Sequence, residues 1–487
     1  MDLGSNSFHL IVARVRDGDL QIIDKEREMV RLAAGLDADR RLTPEAMERA
    51  MACLTRFGQL LRDMPPGSVR VVGTNTLRSA RNSRELIEHA EQVLGHPVEI
   101  IAGVEEARLI YLGVAHGLPD PGGTRLVVDI GGGSTEVILG EGFEPVRMES
   151  LHMGCVSFTR RFFPDGGITR KRLQKARLAA LLEMEPIVAE YRQRGWEQAV
   201  GASGTVRAVR KVVESMGLSE NGISAAALSQ LVEHLADFRH HDELDLPGLA
   251  PERKPVFVGG ALVLLGVFEA LRIRHMMVSE FALREGLLFD LLGRIRHEDV
   301  RERTVESLLR RYQVDARQAS RVADTVCRLH QQAMADWQLD DDNLARLLDW
   351  SARLHEIGMD IAHSGYHKHG AYVLRHADMP GFSQPEQEVM ATLVRAHRRK
   401  FPQAEFQSLP ESWIKPLTRL ALLLRLAVVL HRARSDTPLP DFTLKVKKKT
   451  LTLTFPEGWL EEHPLTAADL QQEAGYLAKA GFGLAFE

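Results

Sequence analysis

The spacing of apolar residues alternates between strand-like and helix-like along roughly the first 290 residues. Residues 8–15 and 20–28 predict a β-hairpin, and residues 44–61 repeat apolar positions with the 3.6-residue period of an amphipathic helix. Strands and helices continue to alternate up to residue 118, and the same order begins again near residue 124. This order predicts an α/β architecture in which sheets are covered by helices.

A short motif, D-[LI]-G-x-x-S, occurs at residues 2–7 and again at residues 129–134, 127 positions later. An apolar strand follows each copy, and helices follow the strand. Chance could produce a match this short, but the shared context favours an internal duplication of domain size. We therefore expect two related α/β domains.

From about residue 301 the pattern becomes helical, and near the end residues 442–455 alternate as a β-hairpin before a short α/β tail. The change in pattern indicates an α-helical bundle followed by a small α+β segment. Four domains are therefore predicted, with the bounds 1–118, 119–298, 299–435 and 436–487.

Composition excludes several classes of protein. The chain has 487 residues and a net charge of −4, which argues against wholesale nucleic-acid binding. Cys53, Cys155 and Cys327 lie far apart and are expected to be free thiols in a reducing compartment, so we expect a cytoplasmic protein. Peripheral association with a membrane stays open.

Two further features are the length of the longest apolar run and the start of the first strand. The longest apolar run, residues 256–268, has 13 residues and is shorter than the ~20 needed to span a bilayer. Met1 stands directly before the first motif copy, and we expect the first half of strand one to be absent.

Both motif copies combine glycine with serine or asparagine at the end of a strand. Such a turn leaves backbone N–H groups unobstructed and adds a hydroxyl, and phosphate oxygens accept hydrogen bonds from both. Two such turns on duplicated domains would face each other across a cleft and hold consecutive phosphates. A tight turn without any ligand is the alternative for one copy alone, and the second copy favours a phosphate site.

Asp129 and Glu136 flank the second glycine turn. Carboxylates repel a polyanionic substrate unless a cation lies between them, and oxygen ligands beside phosphate are typical of Mg²⁺. Asp2 is the related residue of the first copy, whereas His9 takes the position of Glu136. The two halves are therefore chemically unequal, and we expect the second to carry more of the chemistry.

The stretches DLGSNSFH and VDIGGGSTE resemble the two phosphate motifs of the sugar kinase, actin and heat-shock chaperone ATPase superfamily. Within it, the sequence is most similar to the exopolyphosphatase and guanosine pentaphosphate phosphohydrolase family, and to its long exopolyphosphatases more than to its short members. Further stretches that carry this resemblance along the chain are residues 73–83, 102–114, 151–163, 201–208 and 279–288.

This resemblance implies a fold and a set of site residues. It implies two duplicated actin-like (ribonuclease H-like) domains, then a helical HD-like domain and a small α+β domain. Glu106 matches the family's proposed general base, whereas Glu105 is explained more simply by the preference of acids for helix N-termini. Gly204 would shape a third turn at the cleft. The substrate-binding residues implied are Ser5, Asn6, Ser7, Arg78, Gly131, Gly132, Gly133, Ser134 and Thr135, and the metal ligands are Asp129 and Glu136.

Arg78 is the one cation in this set. The family arginine that it matches would bind a phosphate with its planar guanidinium, and a solvated surface arginine is the alternative.

The helical region contains a dyad, His355-Glu356, where metal-dependent HD phosphohydrolases have His-Asp. The extra methylene of glutamate would displace the carboxylate, so we expect a domain that kept this fold and lost the metal. Residues 391–450 contain 13 Lys and Arg against 4 Asp and Glu, clustered at 395–400, 431–434 and 445–449. This excess suggests a path for a long polyanion, although a solvated face explains any one cluster.

The leading hypothesis is an acid-anhydride hydrolase, namely a processive, Mg²⁺-dependent exopolyphosphatase that releases orthophosphate from the ends of inorganic polyphosphate. The alternative is hydrolysis of guanosine pentaphosphate (pppGpp) at the same cleft. A kinase or ATP-driven chaperone of the same fold, and a sensor that binds these anions without turnover, are rivals of other classes. A homodimer is expected, with no nucleic-acid partner and no integral membrane segment.

Overall fold

A computed structural model describes residues 1–16, 19–119, 121–295, 300–407, 409 and 411–487. The chain forms two compact units, Met1–Asp299 and Val300–Glu487. The predicted boundary between residues 298 and 299 falls outside the described residues. The finer boundaries at 118 and 435 stay predictions; they fall in connections between elements in both cases.

The first unit contains two β-sheets with corresponding strand orders. The five-stranded sheet has the order β3-β2-β1-β4-β5, and the six-stranded sheet has the order β10-β11-β9-β6-β7-β8. Their strands are β1 (Asp2–Leu3), β2 (Phe8–Arg16), β3 (Asp19–Glu28), β4 (Val71–Gly73), β5 (Val98–Ile100), β6 (Thr124–Ile130), β7 (Thr135–Glu141), β8 (Glu144–Leu151), β9 (Gln198–Ala202), β10 (Ile223–Ser224) and β11 (His275–Val278).

In each sheet a central strand pairs antiparallel with the next strand of a meander and parallel with a strand that arrives after helical segments. These central strands are β1, which pairs with β2 and β4, and β6, which pairs with β7 and β9. The shared arrangement is what a duplication predicts. It places the two motif copies at equivalent positions, at the carboxyl ends of the two central strands.

Ten helices are described in this unit, and several begin and end where the sequence pattern predicts. They are α1 (Pro44–Leu61), α2 (Asn75–Ser79), α3 (Ser83–Leu94), α4 (Gly103–Gly117), α5 (Cys155–Phe162), α6 (Arg170–Arg194), α7 (Ser203–Ser215), α8 (Ala225–Leu235), α9 (Lys254–Leu271) and α10 (Leu283–Ile295). The α1 helix has Thr43 as its N-cap, with the Thr43 hydroxyl accepting from the Ala46 N–H. The α3 helix ends at Gly95, whose φ of 69° is the left-handed conformation that glycine adopts without strain.

Among the described residues one helical stretch, Pro251–Leu271, is long and apolar enough to cross a membrane. Of its most apolar window, 78% is buried inside the protein, where it packs against α5 and α6. A helix that is apolar all round is expected at the centre of a large α/β core, and this position accounts for its composition.

The second unit is a helical bundle with a small three-stranded sheet of order β12-β13-β14. Its elements are α11 (Val300–Arg311), α12 (Ala316–Trp337), α13 (Asp342–Arg353), α14 (Tyr366–His376), α15 (Gln384–Ala396), α16 (Gln403–Gln407), α17 (Glu411–Leu430), β12 (Thr443–Lys447), β13 (Thr450–Thr454), α18 (Trp459–Glu462), α19 (Pro464–Ala478) and β14 (Gly483–Phe486). The predicted hairpin of residues 442–455 is β12 and β13, paired antiparallel.

One helix of this unit ends earlier than its periodicity predicts. Apolar spacing continues through residue 358, but α13 ends at Arg353 and a 3-10 turn covers Ile357–Asp360. His355 and Glu356 therefore lie in the break between the two elements, and both side chains are buried.

Candidate active site

Each motif copy forms the turn between the central strand of its sheet and the next strand. Asp2 pairs with His9 across β1 and β2, and Asp129 pairs with Glu136 across β6 and β7. The alignment of His9 with Glu136, which the repeat predicts, is therefore also the structural alignment. Both turns open toward the same space.

The two turns touch each other, and this contact requires glycine. A Cβ at Gly132 would lie 2.9 Å from the Ser5 Cβ and 3.6 Å from the Asn6 nitrogen. A Cβ at Gly133 would lie 2.4 Å from the Asn75 Oδ1. The Gly131 N–H donates to the Ser134 carbonyl at 2.9 Å, which closes the turn. Within the described residues no acceptor takes the N–H of Gly132 or Gly133, and Gly132, which lines the cleft, can donate to an anion there.

A cleft of 130 Å³ lies between the turns. It brings together eight of the predicted site residues, drawn from both halves of the first unit and from helix α4. They are Ser5, Asn6, Ser7, Glu106, Asp129, Gly131, Gly132 and Ser134. The two motifs, which lie 127 positions apart in the sequence, thus meet at one cleft, and the predicted base Glu106 lines it.

Four predicted residues lie behind the cleft rather than on its surface. The Arg78 Nη1 donates to the Ile101 carbonyl at 2.6 Å and lies 3.5 Å from the Glu106 Oε2. The Thr135 hydroxyl donates to the Met153 carbonyl at 2.5 Å, and Gly133 faces Asn75. Glu136 is only 1% exposed and accepts from the Ser150 hydroxyl at 2.8 Å. Their predicted roles stay predictions; in this structure the Arg78 guanidinium contacts Ile101 and Glu106.

Glu105 and Glu106 have different surroundings although they are adjacent in sequence. Glu105 belongs to a buried ion-pair cluster, where Arg108 donates to both of its oxygens at 2.7 and 2.8 Å. Arg108 also pairs with Asp290 of α10, and Arg70 pairs with the same aspartate. This cluster fixes the start of α4 against α10 and β4. Glu106 is consequently held at the cleft by the helix that the cluster anchors.

The carboxylates at the cleft raise one another's pKa values. Burial, together with the charge of Glu136, raises the pKa of Glu106 well above its ordinary range. Burial, with Glu106, raises the pKa of Asp129 to about 7, and burial, with Asp129, raises the pKa of Glu136 to about 7. Burial raises the pKa of Asp2 to about 6. Four acids in one place are costly to ionise without a cation.

The chemistry of these acids suits a divalent metal ion. Asp2, Asp129 and Glu136 offer the hard oxygen atoms that Mg²⁺ prefers. The buried Asp2 Oδ1 has no hydrogen-bond partner among the described residues, as expected for an oxygen whose partner is a cation. Ser7 and His9 complete the same wall: the Ser7 Oγ lies 2.8 Å from the His9 Nε2.

His9 is a neutral imidazole in this arrangement. Arg284 can only donate, and its Nη1 lies 3.3 Å from the His9 Nδ1, so the proton is on Nε2 and is donated to the Ser7 hydroxyl. Burial, with the charges of Arg284 and Arg27, lowers the pKa of His9 to about 3. The Ser7 hydroxyl hydrogen is then left available to a ligand.

Four arginines that the sequence analysis did not single out line the same cleft. Arg27, Arg207, Arg253 and Arg284 come from β3, α7, the segment before α9, and α10. Burial, with neighbouring arginines, lowers the pKa values of Arg27 and Arg253, as expected where like charges converge. They are up to 257 positions apart, from 27 to 284; Arg207 and Arg284 lie in stretches that carry the family resemblance, whereas Arg27 and Arg253 lie outside them. Only the tertiary fold assembles this cationic wall.

Comparison with known proteins assigns the chain. A profile described as the Ppx/GppA phosphatase family matches residues 11–295, and one described as Ppx/GppA phosphatase, domain III, matches residues 300–474. The chain belongs to the Ppx/GppA phosphatase family. The predicted family and the predicted class of acid-anhydride hydrolase are thereby confirmed.

Relatives of this chain match it from end to end. A guanosine-5'-triphosphate,3'-diphosphate pyrophosphatase of Pseudoalteromonas translucida is 41% identical over 484 residues, which cover 99% of this chain and 97% of the relative. A protein of the same name from Vibrio cholerae is 41% identical over 493 residues, with 100% and 97% covered.

Solved structures confirm the actin-like α/β fold of the first unit. An exopolyphosphatase of Cytophaga hutchinsonii matches with a TM-score of 0.54 and 24% identity, covering 60% of this chain and 96% of that one. The Aquifex aeolicus PPX-GPPA enzyme matches with a TM-score of 0.50 and 26% identity, covering 59% and 96%. The second unit is a separate C-terminal domain III that is mostly helical.

The prediction of an exopolyphosphatase as the main activity is wrong, because whole-length relatives carry the other name. That prediction depended on the long helical half and its basic clusters. The same long form is shared by relatives named for a guanosine substrate, so length does not discriminate between the two. The clusters at 395–400 and 431–434 also meet at one cavity of the second unit, so their charge excess alone is no evidence of a track.

Proposed function

We propose that this protein hydrolyses guanosine 5'-triphosphate 3'-diphosphate and releases its terminal 5'-phosphate as orthophosphate. The observation that carries this proposal is the whole-length similarity, at 41% identity, to proteins named for that substrate. Two features of the cleft support it.

The first feature is the pair of phosphate turns. The free N–H group of Gly132 and the Ser7 hydroxyl, which both line the cleft, suit the oxygens of a 5'-triphosphate. The second is the cationic wall of Arg27, Arg207, Arg253 and Arg284, which adds positive charge at the same cleft. A substrate with two phosphate arms needs more cationic contacts than the terminal phosphate alone, and arginine forms them with its planar fork.

The reaction would be an in-line displacement by water. The water oxygen bonds to the terminal phosphorus while the bond from that phosphorus to the bridging oxygen breaks, and the electron pair leaves with the shortened 5'-diphosphate. Glu106 takes the proton of the water, for which its raised pKa makes it a competent base. Arg78, 3.5 Å from the Glu106 Oε2, keeps the carboxylate oriented.

Asp129 and Glu136, with Asp2, would hold a Mg²⁺ ion in this mechanism. When bound, the ion supplies positive charge that offsets the negative charge of the phosphates. Ionisation of the three acids, which their raised pKa values oppose, would be favoured by the same ion.

The proposal also covers the type of the second unit, the oligomeric state and the cellular compartment. The second unit would be an HD-like domain without its metal, since Glu356 is paired with Arg434 rather than left open to a cation. The protein would act as a homodimer in the cytoplasm, a compartment that suits three free thiols.

The experiment is orthophosphate release from guanosine pentaphosphate and from long-chain polyphosphate by the wild type and Glu106→Gln. We expect a higher kcat/KM for guanosine pentaphosphate, and a kcat lowered about 10²–10⁴-fold in Glu106→Gln with KM nearly unchanged. Glu48→Gln, at an exposed position of α1, is the matched control and should behave as wild type. A higher kcat/KM for polyphosphate, or full activity of Glu106→Gln, would overturn the proposal.

A further inference from the structure

A second polar cavity lies wholly within the helical unit. It has a volume of 370 Å³ and is bounded by the break after α13 and by the C-terminal ends of α15 and α17. The reaction proposed above uses none of its residues. Its size is within the usual range for small-molecule sites.

The floor of this cavity is formed by two buried histidines, each 1% exposed. The Nδ1 atoms of His355 and His397 lie 2.7 and 2.6 Å from the carbonyls of Ala352 and Val394. A carbonyl only accepts, so Nδ1 carries the proton in both rings. Burial lowers the pKa of each imidazole, which keeps both rings neutral. Each Nε2 is consequently an unprotonated acceptor.

These acceptors lack donors. The buried His397 Nε2 has no partner among the described residues, and the His355 Nε2 lies 3.8 Å from the Glu356 Oε1, which is also an acceptor. Leaving a buried acceptor unsatisfied costs about 1–3 kcal/mol. The floor therefore suits a group that brings hydroxyl or amino hydrogens.

The rim of the cavity is cationic. Arg432 and Arg434 are already paired, with Asp469 and with Glu356 and Asp315. Arg398 stacks over the Tyr366 ring at 4.3 Å. No carboxylate of the described residues pairs with Arg398 or Arg399, so the positive charge of both guanidinium groups can attract an anion.

The backbone supports this rim. Arg399 has a φ of 64°, in the left-handed region, and the Arg425 Nη2 donates to its carbonyl at 2.6 Å. The turn that carries Arg398 and Arg399 is therefore fixed from beneath by the fully buried Arg425 side chain. Val428, Val429 and Met359 supply apolar wall between rim and floor.

We propose that this cavity binds a small phosphate ester whose organic part carries hydroxyl or amino hydrogens, as a nucleoside monophosphate does. The phosphate lies at Arg398 and Arg399, and the organic donors face the Nε2 atoms of His355 and His397. The site is separate from the phosphate turns of the first unit and needs no chemistry there.

Hydrogen exchange of the full chain with guanosine 5'-monophosphate tests the site, because exchange reports the location of binding. We expect slower amide exchange in residues 353–361 and 394–401. In the double variant Arg398→Ala, Arg399→Ala, the same slowing should need a nucleotide concentration about tenfold higher or more, as expected for the loss of charge-assisted hydrogen bonds. Lys400→Ala, which removes one neighbouring charge outside the cavity, should match the wild type.

A second variant separates the two ends of the site. His397→Phe should weaken the binding of guanosine 5'-monophosphate about tenfold and leave the binding of inorganic phosphate unchanged. If Arg398→Ala impairs folding, the single variant Arg399→Ala replaces the double variant, because the Arg399 side chain is exposed. No slowing at millimolar nucleotide would overturn the proposal. So would equal slowing by inorganic phosphate alone, or slowing by Zn²⁺ in place of the nucleotide, which would make the histidines metal ligands.

Discussion

The two halves of the first unit present the same turn with opposite chemistry. In the first half Asp2 is paired with His9, and in the second half Asp129 is paired with Glu136. Burial lowers the pKa of His9 to about 3 and raises the pKa of Glu136 to about 7. Both side chains are therefore driven toward their neutral forms, but from opposite directions.

This difference teaches how a duplicated fold becomes an asymmetric site. The strand order fixes where the two turns lie, and it is shared. The residue opposite each aspartate is free to change, because it affects charge and not topology. The first half uses a neutral donor to position the Ser7 hydroxyl, and the second adds a carboxylate next to Asp129 and Glu106.

The comparison is sharpened most by Glu136→Gln and His9→Gln. We expect Glu136→Gln to lower kcat about 10–100-fold, the usual cost of losing a residue that supports a metal site. His9→Gln should lower it less than about tenfold. Glu136 raises the pKa of Glu106, so Glu136→Gln should also move the acidic limb of the pH–kcat profile to lower pH. Equal losses in both variants, or an unmoved limb, would contradict the asymmetry.

Asp129→Asn should trade activity for stability. The folded-state pKa of Asp129 is raised to about 7. Protonation of this carboxyl therefore stabilises the folded state most below about pH 4, and that stabilisation is lost as pH rises through 7. In EDTA near pH 8 the variant should therefore gain about 4 kcal/mol in free energy of unfolding over wild type. The gain should vanish near pH 4.

Chemical denaturation at both pH values measures this gain. Mg²⁺ should stabilise the wild type and have much less effect on Asp129→Asn. A variant that is less stable than wild type in EDTA near pH 8 would show that repulsion among the acids is not the dominant effect.

His9→Gln should have the smallest effect and the opposite pH dependence. Because the folded-state pKa of His9 is about 3, the unfolded chain binds its proton first, and stability falls as pH drops below about 6.5. Between pH 7 and pH 5, the variant should therefore lose about 1–2 kcal/mol less of its free energy of unfolding than the wild type does. Thermal melts at the two pH values measure it, with exposed His152→Gln as the control. An identical pH dependence in wild type and His9→Gln would refute the assignment.

Local patterns were sufficient for much of the fold. The helix predicted at residues 44–61 is α1 with those bounds, and the hairpin of β2 and β3 follows the predicted alternation. Both depend on apolar period and on caps such as Thr43, which act within a few residues. The repeat was also readable, because the two turns keep the same letters.

Prediction was weaker where distant segments meet. Apolar spacing predicts that α13 continues through residue 358, whereas packing turns His355 and Glu356 into a buried cavity and breaks the helix. Arg78 and Thr135 belong to matching motifs, but their side chains satisfy the carbonyls of Ile101 and Met153 behind the cleft. A motif fixes the position of a residue in the chain, and its neighbours decide the direction of its side chain.

The sequence by itself determined the α/β class, the duplication, the two glycine turns and the family. Each of these depends on the spacing of apolar residues or on short motifs whose residues are neighbours in the chain. Tertiary structure alone decided that Arg27, Arg207, Arg253 and Arg284 share one cleft, and that two basic clusters surround a second cavity. These cationic groups come from separate elements of the chain, and only folding sets the distances between them.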